Sequence, residues 1–464
     1  MSETPICDFV NEYVARKPVR FHMPGHKGKG SLGCETRDLT EIDGADALFE
    51  ASGIIAESEK NASALFGCPT YYSTEGSSLC IRAMLYLAST CGRGKTVLAA
   101  RNVHKSFIYA AALLDLDVRW LCPDGGRSLL TATILPRDVE KALDGMDEKP
   151  ACVYLTCPDY LGCGCDLKGI AEVCHKRGVL LLVDGAHAAY LKFLSKSLHP
   201  IDCGADLVCC SAHKTLPVLT GGAYLHIGNA VAERFCPRAK EAMALFGSTS
   251  PSYLILQSLD AANAALTDYA PRMEALSRRA FALKLRLRQQ GYELCQEKAV
   301  LPGLPGFFQT APAIAFMPGG DPCRIAIAPK SYGYTGDKLA AILEKQNVYP
   351  EFQDPDYLVL MLTPENDERD FSALEKALLS LPRRAPIEKK APRLPTPERV
   401  MSVREAIFSP CEKVPAEQAL GRVLHDPSVS CPPAVPILMP GERIDEAAVS
   451  CFAYYGVKAC GVVR

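Results

Sequence analysis

The chain has 464 residues, 48% of them hydrophobic, and a formal net charge of −2. That length carries a large core and more than one domain, and the balanced charge leaves no strong field for nucleic acid or anionic lipid. No apolar run reaches membrane-spanning length, and the opening stretch MSETPICDFVNEYVARKPVRF lacks the apolar centre of an export signal. The 21 cysteines include Cys80, Cys152, Cys174, Cys209 and Cys210 inside apolar segments, where thiols act as small hydrophobes. A reducing, cytoplasmic setting is therefore expected.

Residues 1–60 read as an irregular N-terminal arm, with FHMPGHKGKG at 21–30 followed by DLTEIDGADALFEASGII. From 61 to 245 strands and helices alternate. Strands are predicted at 96–100, 117–121, 151–156, 179–183, 206–210 and 222–227. Helices are predicted at 77–90, 104–114, 137–144 and 166–177, the last bounded by Asp166 and Gly178. Near-continuous apolar strands alternating with helices predict an α/β domain around a mainly parallel sheet covered on both faces. Cys163 and Cys165 in LGCGCD have no second pair at zinc-site spacing, so a turn is predicted there, with Asp166 capping the next helix. No metal ligand is assigned. From 246 to 381 a long helix at 252–290 and then short strands and helices predict a smaller α+β domain. PRRAPIEKKAPRLPTPERV, 382–400, reads as a linker. Residues 401–464 form a C-terminal segment with a short helix and then CPPAVPILMPGERI.

In an open α/β sheet, ligands sit beyond the carboxyl ends of the strands. Asp184 ends VLLLVD there, and His187 follows in DGAH. The stretch DLVCCSAHKTL runs from an apolar strand into Ser211, His213 and Lys214. His104 follows TVLAA in ARNVHKS, and Gly76, Ser77 and Ser78 precede a helix in STEGSS. A Gly-Ser-Ser turn at a helix start offers N–H groups and hydroxyls to an anion. Each feature has a plain structural reading: an exposed lysine, a capping aspartate, an N-cap, a satisfied histidine. Together they supply a phosphate site, an acid for a ring nitrogen and a lysine for an aldehyde, which are the needs of pyridoxal phosphate. No nucleotide-binding glycine loop follows a strand.

GHKGKG, TEIDGADAL, STEGSS, ARNVHKS, VDGAH, SAHKTL and PPAVPILMPGE, spread over residues 20–445, together resemble the Orn/Lys/Arg decarboxylases of fold type I. The resemblance implies an aspartate aminotransferase-like large domain, a smaller C-terminal α+β domain, and the short form without the N-terminal wing domain. It implies that Lys214 holds pyridoxal phosphate, Asp184 pairs with the ring nitrogen, and His104 stacks on one ring face. Ala186 would pack on the other face with His187 close by. Ser77, Ser78, Ser211 and His213 would hold the phosphate with the amide of Gly76 or its neighbours. The substrate would be a small basic amino acid (arginine, lysine or ornithine, with a lean to arginine) in polyamine biosynthesis. The enzyme would be a homodimer, or an oligomer built on one, with its site at the interface. Lys214 or His213 would return the proton to Cα, and Glu442, Glu41, Asp43 and Asp46 could meet a cationic substrate end.

Three stretches depart from the family pattern. Asn-Gly-Thr reads Glu-Gly-Ser, Asp-Glu-Ala-His reads DGAH with Gly185 in place of an acid, and Tyr-Pro-Pro-Gly-Ile-Pro reads CPPAVP with Cys431 and Ala434. Two rival readings stand beside decarboxylation. One is transamination, with Arg324 as the carboxylate clamp. The other is a catalytically silent cofactor-binding protein, against which the intact Lys214, Asp184 and His104 argue.

Overall fold

The computed structural model describes residues 3–90, 94–121, 128–295, 320–427 and 434–464. In chain order the elements are α1 (Pro5–Ala15), α2 (Ile54–Phe66), β1 (Thr70–Ser73), α3 (Gly76–Thr90), β2 (Thr96–Ala100), α4 (Lys105–Leu114), β3 (Asp117–Leu121), α5 (Pro136–Asp144), β4 (Cys152–Thr156), α6 (Leu167–Lys176), β5 (Leu180–Asp184), β6 (Leu207–Cys210), α7 (Ala212–Thr215) and β7 (Ala223–Ile227). They continue with α8 (Ala232–Ala244), α9 (Tyr253–Leu266), α10 (Tyr269–Gln290), β8 (Glu293–Leu294), β9 (Arg324–Ala328), α11 (Gly336–Glu344), β10 (Phe352–Gln353), β11 (Leu358–Met361), α12 (Glu368–Leu379), α13 (Val403–Phe408), β12 (Cys411–Pro415), α14 (Glu446–Tyr454) and β13 (Ala459–Val463). Two compact units result. The first gathers Met1–Gly94, Ala151–Tyr154 and Cys174–Arg272; the second gathers Lys95–Pro150, Leu155–Val173 and Met273–Arg464.

In the first unit the strands neighbour one another in the order β1-β7-β6-β5. β5 and β6 are parallel, with Asp184 opposite Cys209. β7 runs against both β6 and β1, so it alone of the four is reversed. Every residue of β5, β6 and β7 is buried, which is why LLLVD, LVCC and AYLHI read as apolar runs without alternation. α3 packs across β1, β6 and β7.

The N-terminal arm is more ordered than its composition suggests. α1 opens with Pro5, buries Ile6 and Val10, and packs on α2 and α9, where the Cys7 N–H donates to Asp260 Oδ2 at 2.8 Å. Cys7, Phe9, Tyr13 and Val14 stay partly exposed beside the buried Ile6 and Val10, so the apolar residues show no clean helical stripe in the sequence. The predicted helix over 252–290 is two helices. Pro271 lies in the first turn of α10; it has no N–H to carry α9 onward, and its ring crowds the carbonyl four residues back.

In the second unit β2 and β3 are parallel, Thr96 opposite Asp117. A four-stranded antiparallel sheet follows in the order β10-β11-β9-β8. β12 pairs with β13, Cys411 opposite Val463. The C-terminal segment shares its core with that sheet: Leu424, Ile437, Leu438, Ile444, Phe452 and Val462 cluster with Ala326, Phe352 and Val359. The linker is extended and tied down, with Arg384 N–H donating to Tyr332 O at 3.1 Å and Ile387 N–H to Lys330 O at 3.0 Å. Asp166 accepts from the Gly169 N–H at 3.0 Å, the predicted cap of α6. The 18 described cysteines are free thiols. No helix among the described residues is long and apolar enough to cross a membrane.

Candidate active site

The site in the first unit grows from two strand ends and one helix start. β6 ends at Cys210, Ser211 takes the N-cap position of α7, and the one-turn helix presents His213 and Lys214. Lys214 is half-buried, and its Nζ lies 3.1 Å from Nε2 of the buried His187. The plain reading of a lysine in open water fails. His213 Nδ1 is 2.9 Å from the Gly222 carbonyl; that oxygen can only accept, so Nδ1 carries the proton.

Asp184 ends β5 with 2% of its surface exposed. Its Oδ1 accepts from the Ala186 N–H at 3.1 Å and from Cys209 Sγ at 3.5 Å. Its Oδ2 accepts from the Tyr154 hydroxyl at 3.4 Å. Burial first, then the nearby Asp184 charge, pushes Tyr154 and Cys209 well above their ordinary pKa values, so both stay protonated donors. Neither was singled out in the sequence. Tyr154 lies inside the apolar run ACVYLT and shows nothing to separate it from core. Gly185 fits a tight place: a Cβ there would come within 3.1–3.2 Å of Ala188 Cβ, Cys209 O and Val208 Cγ1.

Gly76 starts α3 with φ +68°, a conformation glycine adopts freely. Its own N–H is given to Gly221 O at 2.7 Å. That corrects the expectation that this amide faces an anion; the amides after it are the ones that lack acceptors within the helix. Ser211 Oγ donates to Ser77 Oγ at 2.8 Å, joining segments 134 residues apart, and Ser78 follows on α3. A lysine amine, a buried carboxylate and hydroxyls at a helix start thus converge in one unit. That donor set fits pyridoxal phosphate.

Of the acids offered for a cationic substrate end, Asp46 is committed elsewhere. Its carboxylate accepts from the backbone N–H groups of Ala47, Ser52, Gly53 and Ile55 at 2.8–3.0 Å, and these bonds hold its pKa low against the opposing effect of burial. It caps α2. Glu41 and Asp43 are exposed.

In the second unit, His104 caps α4: its Nδ1 accepts from the Ser106 N–H at 3.1 Å and faces Ser106 Oγ at 2.9 Å. The Lys105 N–H donates to Ala434 O at 3.0 Å, anchoring the C-terminal stretch on the same helix start. Ala434 has φ +58°, so the position that departs from the family's glycine is one where the backbone favours glycine. Cys431 lies outside the described residues. Glu442 is bound to Arg101 at 2.6 and 2.8 Å and accepts from the Met439 N–H at 2.8 Å. It is already neutralised, which corrects its expected place as a partner for a substrate cation. Arg101 sits in ARNVHKS at the end of TVLAA, and a charge closing an apolar strand was the sequence sign of this pair. Arg324 is fully buried, donating to Tyr160 O at 3.0 Å and lying 3.5 Å from Asp321.

A family model described as "Orn/Lys/Arg decarboxylase, major domain" matches residues 4–370, and one described as "Orn/Lys/Arg decarboxylase, C-terminal domain" matches residues 389–459. An arginine decarboxylase of Halalkalibacterium halodurans is 30% identical over 96% of this chain and 92% of its own length. An arginine decarboxylase of Bacillus subtilis is 28% identical over 97% of this chain and 92% of its own. The crystal structure of a lysine decarboxylase of Francisella novicida has the same fold, with a TM-score of 0.78 at 18% identity over 99% of this chain and 81% of that one.

Proposed function

As a member of the Orn/Lys/Arg decarboxylase family, and so a decarboxylase of a basic amino acid, the chain works, we propose, with pyridoxal phosphate held on Lys214 and with arginine as its substrate. The observation that carries this reading is the convergence of Lys214, buried Asp184 and the Ser77–Ser211 hydroxyl pair. The lean to arginine rests on the two arginine decarboxylase relatives.

When bound, pyridoxal phosphate supplies the sink for the electron pair left as the Cα–carboxylate bond breaks. Asp184, fed by three donors and excluded from water, keeps a proton on the ring nitrogen; such preorganised charge is worth more in a dry site than in solvent. Ser77, Ser78, Ser211, His213 and the amides at the start of α3 would take the phosphate. By the family resemblance His104, itself oriented by Ser106, would stack on one face of the ring and Ala186 would pack on the other. His187, 3.1 Å from Lys214 Nζ, moves protons to and from that amine, and Lys214 or His213 returns the proton to Cα. Glu41 and Asp43 are the remaining acids for the guanidinium end. The working form is a cytoplasmic homodimer with the site at its interface, feeding polyamine synthesis. Transamination is disfavoured because Arg324 is engaged by Tyr160 and Asp321.

The test is product identification by mass spectrometry, with the cofactor-loaded protein given arginine, lysine and ornithine in competition. Agmatine as the main product supports the reading. Cadaverine or putrescine as the main product overturns the choice of arginine. A keto acid, or no product at all, overturns decarboxylation.

A further inference from the structure

Outside the candidate active site, His199, Cys210 and His226 are the group of histidine, cysteine and acid side chains at metal-ligand spacing among the described residues, with ligand atoms within 4.8 Å of one another. All three side chains are 0% exposed. β6 and β7 pair with Val208 opposite His226 and Cys210 opposite Tyr224, so Cys210 and His226 are diagonal neighbours on one sheet face. His199 comes from the segment before β6, and its Nε2 is 3.4 Å from Cys210 Sγ.

The hydrogen bonds around His226 fix its tautomer. Thr70 Oγ1 donates to the Cys68 carbonyl at 3.0 Å and so accepts from His226 Nδ1 at 2.9 Å. Nε2 is left with a lone pair, and this buried atom has no hydrogen-bond partner among the described residues. An unsatisfied buried acceptor is destabilising. A ring held by its Nδ1–H, with Nε2 bare, is also the arrangement of a metal-binding histidine. An imidazole offers a lone pair to a metal only when it is neutral.

The donor set selects the ion. Two neutral imidazoles and one thiolate carry a single negative charge, which a monovalent cation cancels within the set itself. Imidazole suits copper, and soft thiolate selects its monovalent form. We propose that His199 Nε2, Cys210 Sγ and His226 Nε2 form a three-coordinate Cu(I) site that ties together the segment before β6, β6 and β7, just behind Ser211 and Lys214. Copper enters as Cu(I), so no electron is transferred. The Cys210 thiol releases its proton to solvent. The His199 proton moves from Nε2 to Nδ1, giving up the long 3.4 Å contact from the Ile201 N–H.

The experiment is anaerobic loading of the full chain with one equivalent of Cu(I), read by X-ray absorption at the copper edge. The expected spectrum shows one sulfur and imidazole scattering, with one proton released per ion. Cys210→Ser should abolish the imidazole-bearing site. Thr70→Val, which frees the His226 tautomer without touching a ligand, should weaken Cu(I) about 10–100-fold in competition with a chromophoric chelator. The wild-type spectrum decides the matter even where a variant fails to fold. An all-sulfur shell overturns the proposal, since copper then sits on other thiols. So does an imidazole shell that survives Cys210→Ser, or Zn(II) held at this site in preference to Cu(I).

Discussion

Arg101 and Glu442 form a two-pronged ion pair at 2.6 and 2.8 Å, with side chains only 6% and 5% exposed. The pair ties the end of β2 to the MPGE stretch of the C-terminal segment. Removing one partner leaves a buried charge alone, so Glu442→Ala should cost about 3–5 kcal/mol of stability. Urea unfolding with and without the substitution measures this. If Glu442 met the substrate instead, KM would rise and the unfolding midpoint would stay in place.

Lys214 and Asp184 are the residues proposed to carry the chemistry. Lys214→Ala should eliminate turnover and cofactor attachment; retained decarboxylation would remove Lys214 from its role. Asp184→Ala should lower kcat by at least about 10²–10³-fold. Steady-state assays at saturating cofactor give the number, and a loss below about tenfold would be too small for a preorganised charge partner.

Ala434 holds a left-handed backbone, φ +58°, which costs a residue with a Cβ roughly 1–2 kcal/mol relative to the right-handed form. Ala434→Gly relieves that strain but frees the unfolded chain, so the net gain should be at most about 1 kcal/mol. A higher urea midpoint for the variant is the expected result. The same substitution restores the family's usual residue, so a change in substrate preference without a change in midpoint would mean that the side chain acts on the site.

Two buried acids in the second unit make stability depend on pH in one direction. Burial raises Asp354 to about 7 and Asp159 to about 6. Both folded values lie above the unfolded carboxylate near 4, so the folded state holds protons that the unfolded state has lost. Stability should therefore fall as pH rises from about 4 through 7. Asp354→Asn should flatten the upper part of that fall, seen as a smaller difference between unfolding midpoints at pH 5 and pH 8. An unchanged slope would mean that Asp354 is ionised in the folded protein under both conditions.

Much of this was legible in the sequence. The continuous apolar strands of the first unit announced their own burial, and the polar residues that end them, Asp184 and Ser211 through Lys214, stand where the strands stop. Contacts made across the chain were not legible. Glu442 looked like an acid free for a substrate because its partner lies 341 residues away. Asp46 looked equally free because its backbone donors come from the turn before α2 and the start of that helix, which an irregular composition concealed. Tyr154 and Cys209 were hidden for the opposite reason: in a fully buried strand, a residue serving Asp184 looks like any other core residue. The His199–Cys210–His226 cluster needed the β6–β7 register before its members could be placed together.

Attachment of the cofactor to Lys214 is measured directly by borohydride reduction of the pyridoxal phosphate-loaded protein, followed by digestion and mass spectrometry of the peptides. A pyridoxyl group is expected on Lys214, in the peptide that carries SAHK, at one per chain. A pyridoxyl group on another lysine, with Lys214 unmodified, would contradict that attachment.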